Sequence, residues 1–173
     1  MKLTKRGEYA LRALIDLGIA QEAKHPIVQI RELAHKANIP VKFLEAILID
    51  LKEAGFLKSK RGKRGGYSLA KPADTISIGD VVRKVEGPLA PIACVSQTCY
   101  EPCSCPDEAH CGLRMVMLEV RNAIAGILDA YTLKQTVDVT VQRMRKDRIA
   151  LPFQQISGSE SVSLQRNRSA TRV

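Results

Sequence analysis

The chain has 173 residues and a formal net charge of +9, from 27 lysines and arginines against 18 aspartates and glutamates. That length allows one domain with a fair core, or a small domain with an appendage. The positive balance suits a polyanionic partner such as nucleic acid. The sequence lacks a run of about 18 apolar residues that could span a membrane, and Glu8, Arg12 and Asp16 interrupt any signal-peptide core. We therefore predict a cytoplasmic protein without a membrane partner.

Three helices are predicted in the first 55 residues. Thr4 can cap a helix that runs to about Gln21. A second helix starts near Ile30, and Pro40 ends it and opens a third, because the fixed φ and missing N–H of proline are tolerated in a first turn. In the third helix Gly55 occupies the C′ position that favours glycine. The positions expected to be buried in this helix are Phe43, Leu44, Ile47, Leu48 and Leu51.

The next segment has the pattern of a β-hairpin. Two alternating segments, 56–60 and 66–69, flank a basic tip rich in glycine. Ser77 and Asp80 then predict a capping box for a fourth helix that ends near Glu86. Three helices followed by a basic hairpin are the layout of a winged helix-turn-helix domain, which we assign to residues 1–88.

A long last helix is predicted within residues 113–135, which we assign as a dimerisation segment. Its apolar stripe at helical spacing contains Leu113, Val116, Met117, Val120, Ile124, Ile127, Leu128 and Tyr131. This stripe is too apolar to face water along its whole length, so we expect a homodimer. Residues 136–173 are basic and polar, and are expected to form a disordered tail. The expected fold class is mainly α, with a winged helix-turn-helix domain, a small β-hairpin wing and a long C-terminal dimerisation helix.

The third helix and the hairpin predict a surface for double-stranded DNA. On the helix, the sector opposite the buried leucines holds Lys42, Glu45, Ala46 and Ile49. Glutamate can accept a hydrogen bond from cytosine N4, and isoleucine can contact a thymine methyl; a solvated helix face is the alternative interpretation. The hairpin carries five cations within seven residues: Lys58, Lys60, Arg61, Lys63 and Arg64. A charge run is usually a solvated face, but on the wing of this motif it favours contact with DNA.

All five cysteines lie in one stretch of eighteen residues, "CVSQTCYEPCSCPDEAHC", within a cysteine-rich loop that we assign to residues 89–112. Because cytosolic thiols are kept reduced, such a cluster indicates first metal ligands, then a redox switch, and last structural disulfides. The three histidines of the chain have no evident nucleophile partner. We therefore expect that the protein is not an enzyme.

The order of these segments resembles one family of bacterial regulators. The matching residues are "MKLTKRGEYALRAL", the stretch from "IRELAHKANIP" through "KRGKRGGYSLA" to "DVVRKVEG", the cysteine loop, and a helix that ends "ILDAYTL". Over about residues 1–135 the chain resembles the Rrf family of winged-helix iron–sulfur transcriptional regulators, which includes IscR-, NsrR-, RirA- and CymR-like proteins. The resemblance implies a homodimeric repressor or activator with a cluster in its cysteine loop. By position, Glu45 resembles the base-reading glutamate of the family and Arg61 its minor-groove arginine, while Lys42 replaces a small polar residue.

The resemblance also implies cluster ligands. The family loop has three cysteines, the last two separated by five residues before the dimer helix, and Cys105 and Cys111 fit that pattern. The first ligand is either Cys94, which we slightly favour, or Cys99.

The fourth ligand is open. Some members use a histidine three residues after the last cysteine, where this chain has Arg114, which cannot ligate. Others use an acid from the first helix of the partner subunit, at the place of Glu8. His110 and a fourth cysteine are further candidates, and the alternative for Glu8 is a solvent-facing residue near a helix N-terminus.

Two functions follow from these residues. The first is a DNA-binding regulator that senses iron, cluster status, nitric oxide or redox state through a 2Fe–2S or 4Fe–4S cluster. The second is a cluster-free regulator whose loop holds a structural zinc or acts as a thiol switch, with its function exerted through a protein partner. The colour of anaerobically purified protein discriminates between them, because zinc gives a colourless protein.

Overall fold

The computed structural model describes residues 3–153, which form six α-helices and one two-stranded sheet. In chain order these elements are α1 (Lys5–Glu22), α2 (Ile30–Ala37), α3 (Val41–Glu53), β1 (Leu57–Lys60), β2 (Gly66–Leu69), α4 (Ile78–Glu86), α5 (Gly112–Ala130) and α6 (Leu133–Lys146). Single turns of 3-10 helix lie at Ala73–Thr75 and Ala93–Val95. The mainly helical fold class with a β-hairpin is therefore confirmed.

Local signals set the helix ends in the first half of the chain. The Thr4 hydroxyl accepts a hydrogen bond from the Gly7 backbone N–H and caps α1. Gly55 follows α3 with a φ of 76°, in the left-handed region that ends many helices. The first three helices pack around a common core in which Leu14, Leu33 and Leu44 are fully buried. This core presents the opposite face of α3 to solvent.

One predicted core residue of α3 lies on the surface. The Phe43 side chain is 43% exposed, so its predicted burial is wrong. Its ring contacts the Tyr9 ring of α1 edge to face, with 5.7 Å between ring centroids. Leu44, Ile47, Leu48 and Leu51 already fill the buried sector of α3, and Phe43 falls at the edge of that sector.

The hairpin is tied to the helical core through its second strand. β1 and β2 pair antiparallel, with Leu57 opposite Leu69 and Lys60 opposite Gly66. Val28, just before α2, exchanges two backbone hydrogen bonds with Tyr67 of β2, at 3.0 and 2.8 Å. A Cβ on Gly66 would lie 2.3 Å from the Val28 carbonyl oxygen, so this close approach requires glycine. The base of the wing is therefore fixed against the helices.

A sixth helix follows α5, where the sequence predicted the start of a disordered tail. The long helix α5 ends at Ala130, and Thr132 with Gln135 forms a capping box that starts α6. On α6, Leu133, Val137 and Val141 are buried against the core that contains α1. The disordered tail predicted from residue 136 is therefore wrong through Lys146, and residues 133–135 belong to α6 and not to the long helix α5. The part of the predicted tail at 154–173 lies outside the described residues.

Among residues 3–153, no helix combines the length and the apolar character that are needed to cross a membrane.

Candidate DNA-binding surface and cysteine loop

The predicted recognition sector of α3 faces solvent. Lys42, Glu45, Ala46 and Ile49 are all exposed, and Ile49 is 46% exposed. Within the described part of the chain neither Lys42 nor Glu45 forms an ion pair. Their side chains are therefore available to bases or phosphates. Asp50, near the end of α3, forms an ion pair with Arg6 of α1, and this pair links the two helices.

The wing presents its five predicted cations together. Lys58, Lys60, Arg61, Lys63 and Arg64 are all exposed. Among residues 3–153 none of them has a carboxylate within ion-pair distance. The tip turns at Gly62, whose φ of 108° strongly favours glycine. Unpaired cations on a projecting hairpin are suited to phosphate contacts and to insertion into a narrow minor groove.

Sequence reasoning missed a side chain that holds the wing tip. The Gln29 side-chain amide donates a hydrogen bond to the Lys63 carbonyl oxygen, with 3.2 Å between Nε2 and O. Gln29 stands at the N-cap of α2, where its side chain makes no capping bond. A glutamine at an N-cap, where serine, threonine, aspartate or asparagine is usual, is a signal that could have indicated another role.

The last two cysteines lie together at the start of α5. Cys111 is the N-cap of α5, and its sulfur accepts from the Arg114 backbone N–H at 3.5 Å. The Cys105 and Cys111 sulfurs are 3.8 Å apart. Two thiolates that lie about 2.3 Å from a tetrahedral metal are also about 3.8 Å apart. The spacing thus fits shared coordination of one metal atom.

The two thiols of this pair have opposite pKa shifts. Hydrogen bonds to Cys103 and Cys111 raise the pKa of Cys105 to about 12. The backbone N–H of Arg114 lowers the pKa of Cys111, and the Arg114 charge adds to that effect. Of the two thiols, Cys111 therefore loses its proton more readily.

The two candidates for the first ligand, Cys94 and Cys99, lie in different surroundings. Cys94 is buried in the turn Ala93–Val95, and the Arg114 guanidinium donates to its carbonyl oxygen at 3.4 Å. Burial raises the pKa of Cys94, and the neighbouring Cys103 thiol adds to that shift. Cys103 is also a neighbour of Cys105. Four thiols therefore follow one another from Cys94 through Cys103 and Cys105 to Cys111.

Cys99 lies apart from that row. It is exposed, and its backbone N–H donates to the Ser96 hydroxyl at 3.0 Å. The residue lines a cleft together with Lys71, Asp80 and Lys84. The lining of this cleft contains charged side chains of both signs and no second cysteine. Of the two candidates, Cys94 is the one placed beside the other cysteines.

Glu8 lies on the first turn of α1, where cations of the same helix surround it. Its carboxylate pairs with Lys5 at 2.7 Å and with Arg12 at 3.4 Å. The hydrogen bond from Lys5 lowers the pKa of Glu8, so the carboxylate is ionised. His110 is exposed and its Nδ1 contacts Asp107 at 2.6 Å. Neither side chain is joined to a cysteine by a hydrogen bond in the described protomer.

The cysteine loop supplies thiol donors that are only partly gathered. Across residues 3–153, no three or more cysteine, histidine, aspartate or glutamate side chains already converge on one point that could hold an ion. The Cys105–Cys111 spacing and the soft thiolate chemistry nevertheless fit an iron–sulfur group, with Cys94 and Cys103 as adjacent thiols. Coordination by more than two thiolates thus requires the loop to draw together.

The sequence matches a known protein family along most of its length. A family model described as "Rrf2: Iron-dependent Transcriptional regulator" matches residues 3–139. An rrf2-like HTH-type transcriptional regulator of Rhodobacter capsulatus is 43% identical over 136 residues, which cover 76% of this chain and 89% of the relative.

Two solved structures are similar along most of the chain. CymR of B. subtilis, described as the global cysteine regulator, has a TM-score of 0.66 at 28% identity. The match covers 80% of this chain and 98% of the CymR chain. IscR of T. potens has a TM-score of 0.64 at 25% identity, and the match covers 87% of this chain and 93% of the IscR chain. These neighbours confirm the winged-helix class, and the family consists of regulators and not of enzymes. The chain belongs to the Rrf2 family of transcriptional regulators.

Proposed function

We propose that this regulator binds a DNA operator as a homodimer and senses iron, cluster status, nitric oxide or redox state through an iron–sulfur cluster, of the 2Fe–2S or 4Fe–4S type, held by its cysteine loop. The observation that carries the proposal is the thiol pair Cys105 and Cys111, 3.8 Å apart at the N-terminus of α5. The family description as iron-dependent supports iron as the metal. A cluster supplies redox-active iron held by thiolates.

The proposed dimer uses the apolar face of α5. No residue of this helix is buried in a single protomer. Leu113 is 60% exposed, Val116 is 55% exposed and Ile127 is 61% exposed. Beside the second half of α5 lies an apolar groove lined by Leu11, Ile15, Leu128, Tyr131 and Val139. A two-fold axis near the middle of α5 would place the first half of the partner helix at this groove.

That dimer supports a role for Glu8 in the partner's cluster site. Glu8, Leu11 and Ile15 lie on one face of α1, because residues three, four and seven apart are neighbours on a helix. A partner helix seated on Leu11 and Ile15 would therefore bring its own N-terminus, and with it Cys111, toward Glu8. An ionised carboxylate is a weaker partner for iron than thiolate. Glu8 would thus be the labile ligand.

Arg114 of α5 connects two separate parts of the cysteine loop to that helix. This side chain pairs with Glu108 at 3.0 Å and donates to the Cys94 carbonyl oxygen. The thiolates that hold the cluster would fix the same segment against α5. Cluster loss would then release the segment and shift the dimer between two DNA-binding states. Coupling between distant sites of this kind is typically about 1 to 3 kcal/mol.

Anaerobic purification tests this proposal. Iron, acid-labile sulfide and visible absorbance are measured for the wild type and for Cys105→Ser/Cys111→Ser. Cys99→Ser is a matched control, because Cys99 lies apart from the other four thiols. We expect coloured wild type and Cys99→Ser proteins and a bleached double variant. Wild-type amounts of iron and sulfide in the double variant would refute the assignment.

A second candidate is a cluster-free regulator that acts through a protein partner, with a structural zinc or a thiol switch in the loop. The two cysteine sulfurs 3.8 Å apart also favour this function, since such a pair can bind zinc or close to a disulfide after a small movement. Colourless anaerobic protein with bound zinc, or with two thiols lost on mild oxidation, would favour it over the cluster.

A further inference from the structure

The wing tip is held from outside the hairpin. Its base is fixed by the pairing of Val28 with Tyr67. Beyond the base, Gly65 N–H donates to the Gly62 carbonyl at 2.8 Å, which closes the turn on itself. The Gln29 amide adds a link from the start of α2 to the Lys63 carbonyl, at 3.2 Å. The link reaches the tip between its two arginines, Arg61 and Arg64.

The side chain of Gln29 forms this hydrogen bond to the wing and does not cap α2. Serine, threonine, aspartate or asparagine at an N-cap would satisfy a free backbone N–H of the first turn, but Gln29 makes no such bond. Its longer side chain spans from α2 to the wing. The contact is made to a backbone carbonyl, so it fixes the path of the chain and leaves the Lys63 ammonium free for DNA.

We propose that Gln29 is a positioning residue for DNA binding, which presets the wing tip so that Arg61 and Lys63 meet the DNA in register. A short basic tip that is free to move must lose conformational entropy when it binds. A tip that is already ordered loses less, and its affinity is higher for the same contacts. The proposal rests on the contact between the wing and DNA.

The substitution Gln29→Ser separates positioning from folding. Serine restores a capping hydroxyl to α2 but cannot reach Lys63, so Tm should stay equal or rise while DNA affinity falls. Loss of one hydrogen bond corresponds to a weakening of about two- to tenfold in Kd. The probe is a duplex selected from a random library by the full-length wild type. Gln142→Ser, an exposed glutamine on α6, is the control and should bind like the wild type.

A double-mutant comparison identifies the route of the effect. In an Arg61→Ala/Lys63→Ala background, Gln29→Ser should weaken binding no further, because the cations it positions are absent. Wild-type affinity of Gln29→Ser, or an additive loss in that background, would overturn the proposal. If Arg61→Ala/Lys63→Ala itself binds like the wild type, the wing contact fails instead, and this outcome is distinguishable from the first.

Discussion

Arg83 of α4 donates two parallel hydrogen bonds to the carboxylate of Asp129 near the end of α5. The distances are 2.6 Å from Nη1 to Oδ1 and 2.7 Å from Nη2 to Oδ2. Gly79 makes the approach possible, because a Cβ there would lie 1.9 Å from Asp129 Oδ1. This ion pair joins the DNA-binding domain to the helix that carries the cysteine loop at its other end.

The pair predicts a pH-dependent contribution to stability. The hydrogen bonds from Arg83 lower the pKa of Asp129. Its stabilisation is therefore fully present above the unfolded aspartate pKa of about 3.9, and is lost as pH falls through the lower folded pKa. Asp129 is partly exposed, so screening limits the effect, and Asp129→Asn should cost about 0.5 to 1 kcal/mol at pH 7.

Urea unfolding of the wild type and Asp129→Asn at several pH values measures this difference. We expect the gap in the free energy of unfolding to narrow as the pH is lowered. The exposed Asp74 provides the control, since Asp74→Asn should show almost no gap at any pH. A gap for Asp129→Asn that stays constant with pH would contradict the prediction.

The two wing variants should differ in what they weaken. Arg61→Ala should reduce affinity for the selected operator more than for unrelated duplex, because this residue is placed to probe a groove. Lys63→Ala should weaken all DNA about equally and reduce the slope of log K against log salt by about one. Fluorescence anisotropy across a salt series checks both. Unchanged binding of both variants would remove the wing from the mechanism.

A charge on the exposed face of α5 should separate the proposed dimer. Ile127→Glu introduces a carboxylate where the side chain is 61% exposed in one protomer, so the protomer should still fold. Loss of bivalent binding should weaken operator affinity by about 100-fold or more. Sedimentation velocity gives the oligomeric state, with Asn122→Glu on another face of α5 as the control. A monomeric wild type, or a dimeric Ile127→Glu, would refute this interface.

The packing of α6 on α1 predicts a coupled pair of substitutions. A Cβ on Gly18 would lie 2.5 Å from Val137 Cγ2. Gly18→Ala should therefore cost about 1 to 3 kcal/mol through overpacking. In a Val137→Ala background the same change should be neutral or stabilising by up to about 1 kcal/mol, since alanine favours a helix over glycine.

Denaturant unfolding of the four proteins measures the coupling. Gly126→Ala on α5 is the matched control, because no atom lies within 4 Å of the added Cβ. Additive effects of Gly18→Ala and Val137→Ala would show that α6 does not pack on α1 in solution.

Glu8→Ala addresses the labile ligand. If Glu8 completes the partner's site, the variant should keep its three thiolate ligands and most of its colour, while its spectral response to oxygen or nitric oxide changes. Lys5→Ala is the control, because it removes an ion-pair partner of Glu8 and leaves the carboxylate. A spectral response of Glu8→Ala that equals that of the wild type would show that Glu8 is not a ligand of the partner's site.

Local signals predicted most of the DNA-binding domain. The α3 sector follows from helical periodicity, and the wing from glycines and alternation around a basic tip. Phe43 was misassigned because periodicity marks a sector and not its edge.

The last helix was missed because its apolar side chains are sparse, at Leu133, Val137 and Val141, among threonines and charges. These three side chains are buried because they pack on the surface of α1, and the composition of the last segment does not reveal that packing. The capping box of Thr132 and Gln135 was the local signal available. Among the cysteines, spacing alone left Cys94 and Cys99 open as the first ligand; in the structure Cys94 neighbours Cys103, whereas Cys99 lines a cleft that contains no other cysteine.

The return of α6 to α1 has a consequence for biosynthesis. The core of the DNA-binding domain is completed by side chains near the C-terminal end of the described chain, since Leu133 and Val137 are almost fully buried in it. A nascent chain emerges from the ribosome N-terminus first. The cysteine loop and α5 are therefore synthesised before the domain that reads DNA can finish folding. We expect a growing or truncated chain to lack a complete DNA-binding domain until its cysteine loop and α5 are already made.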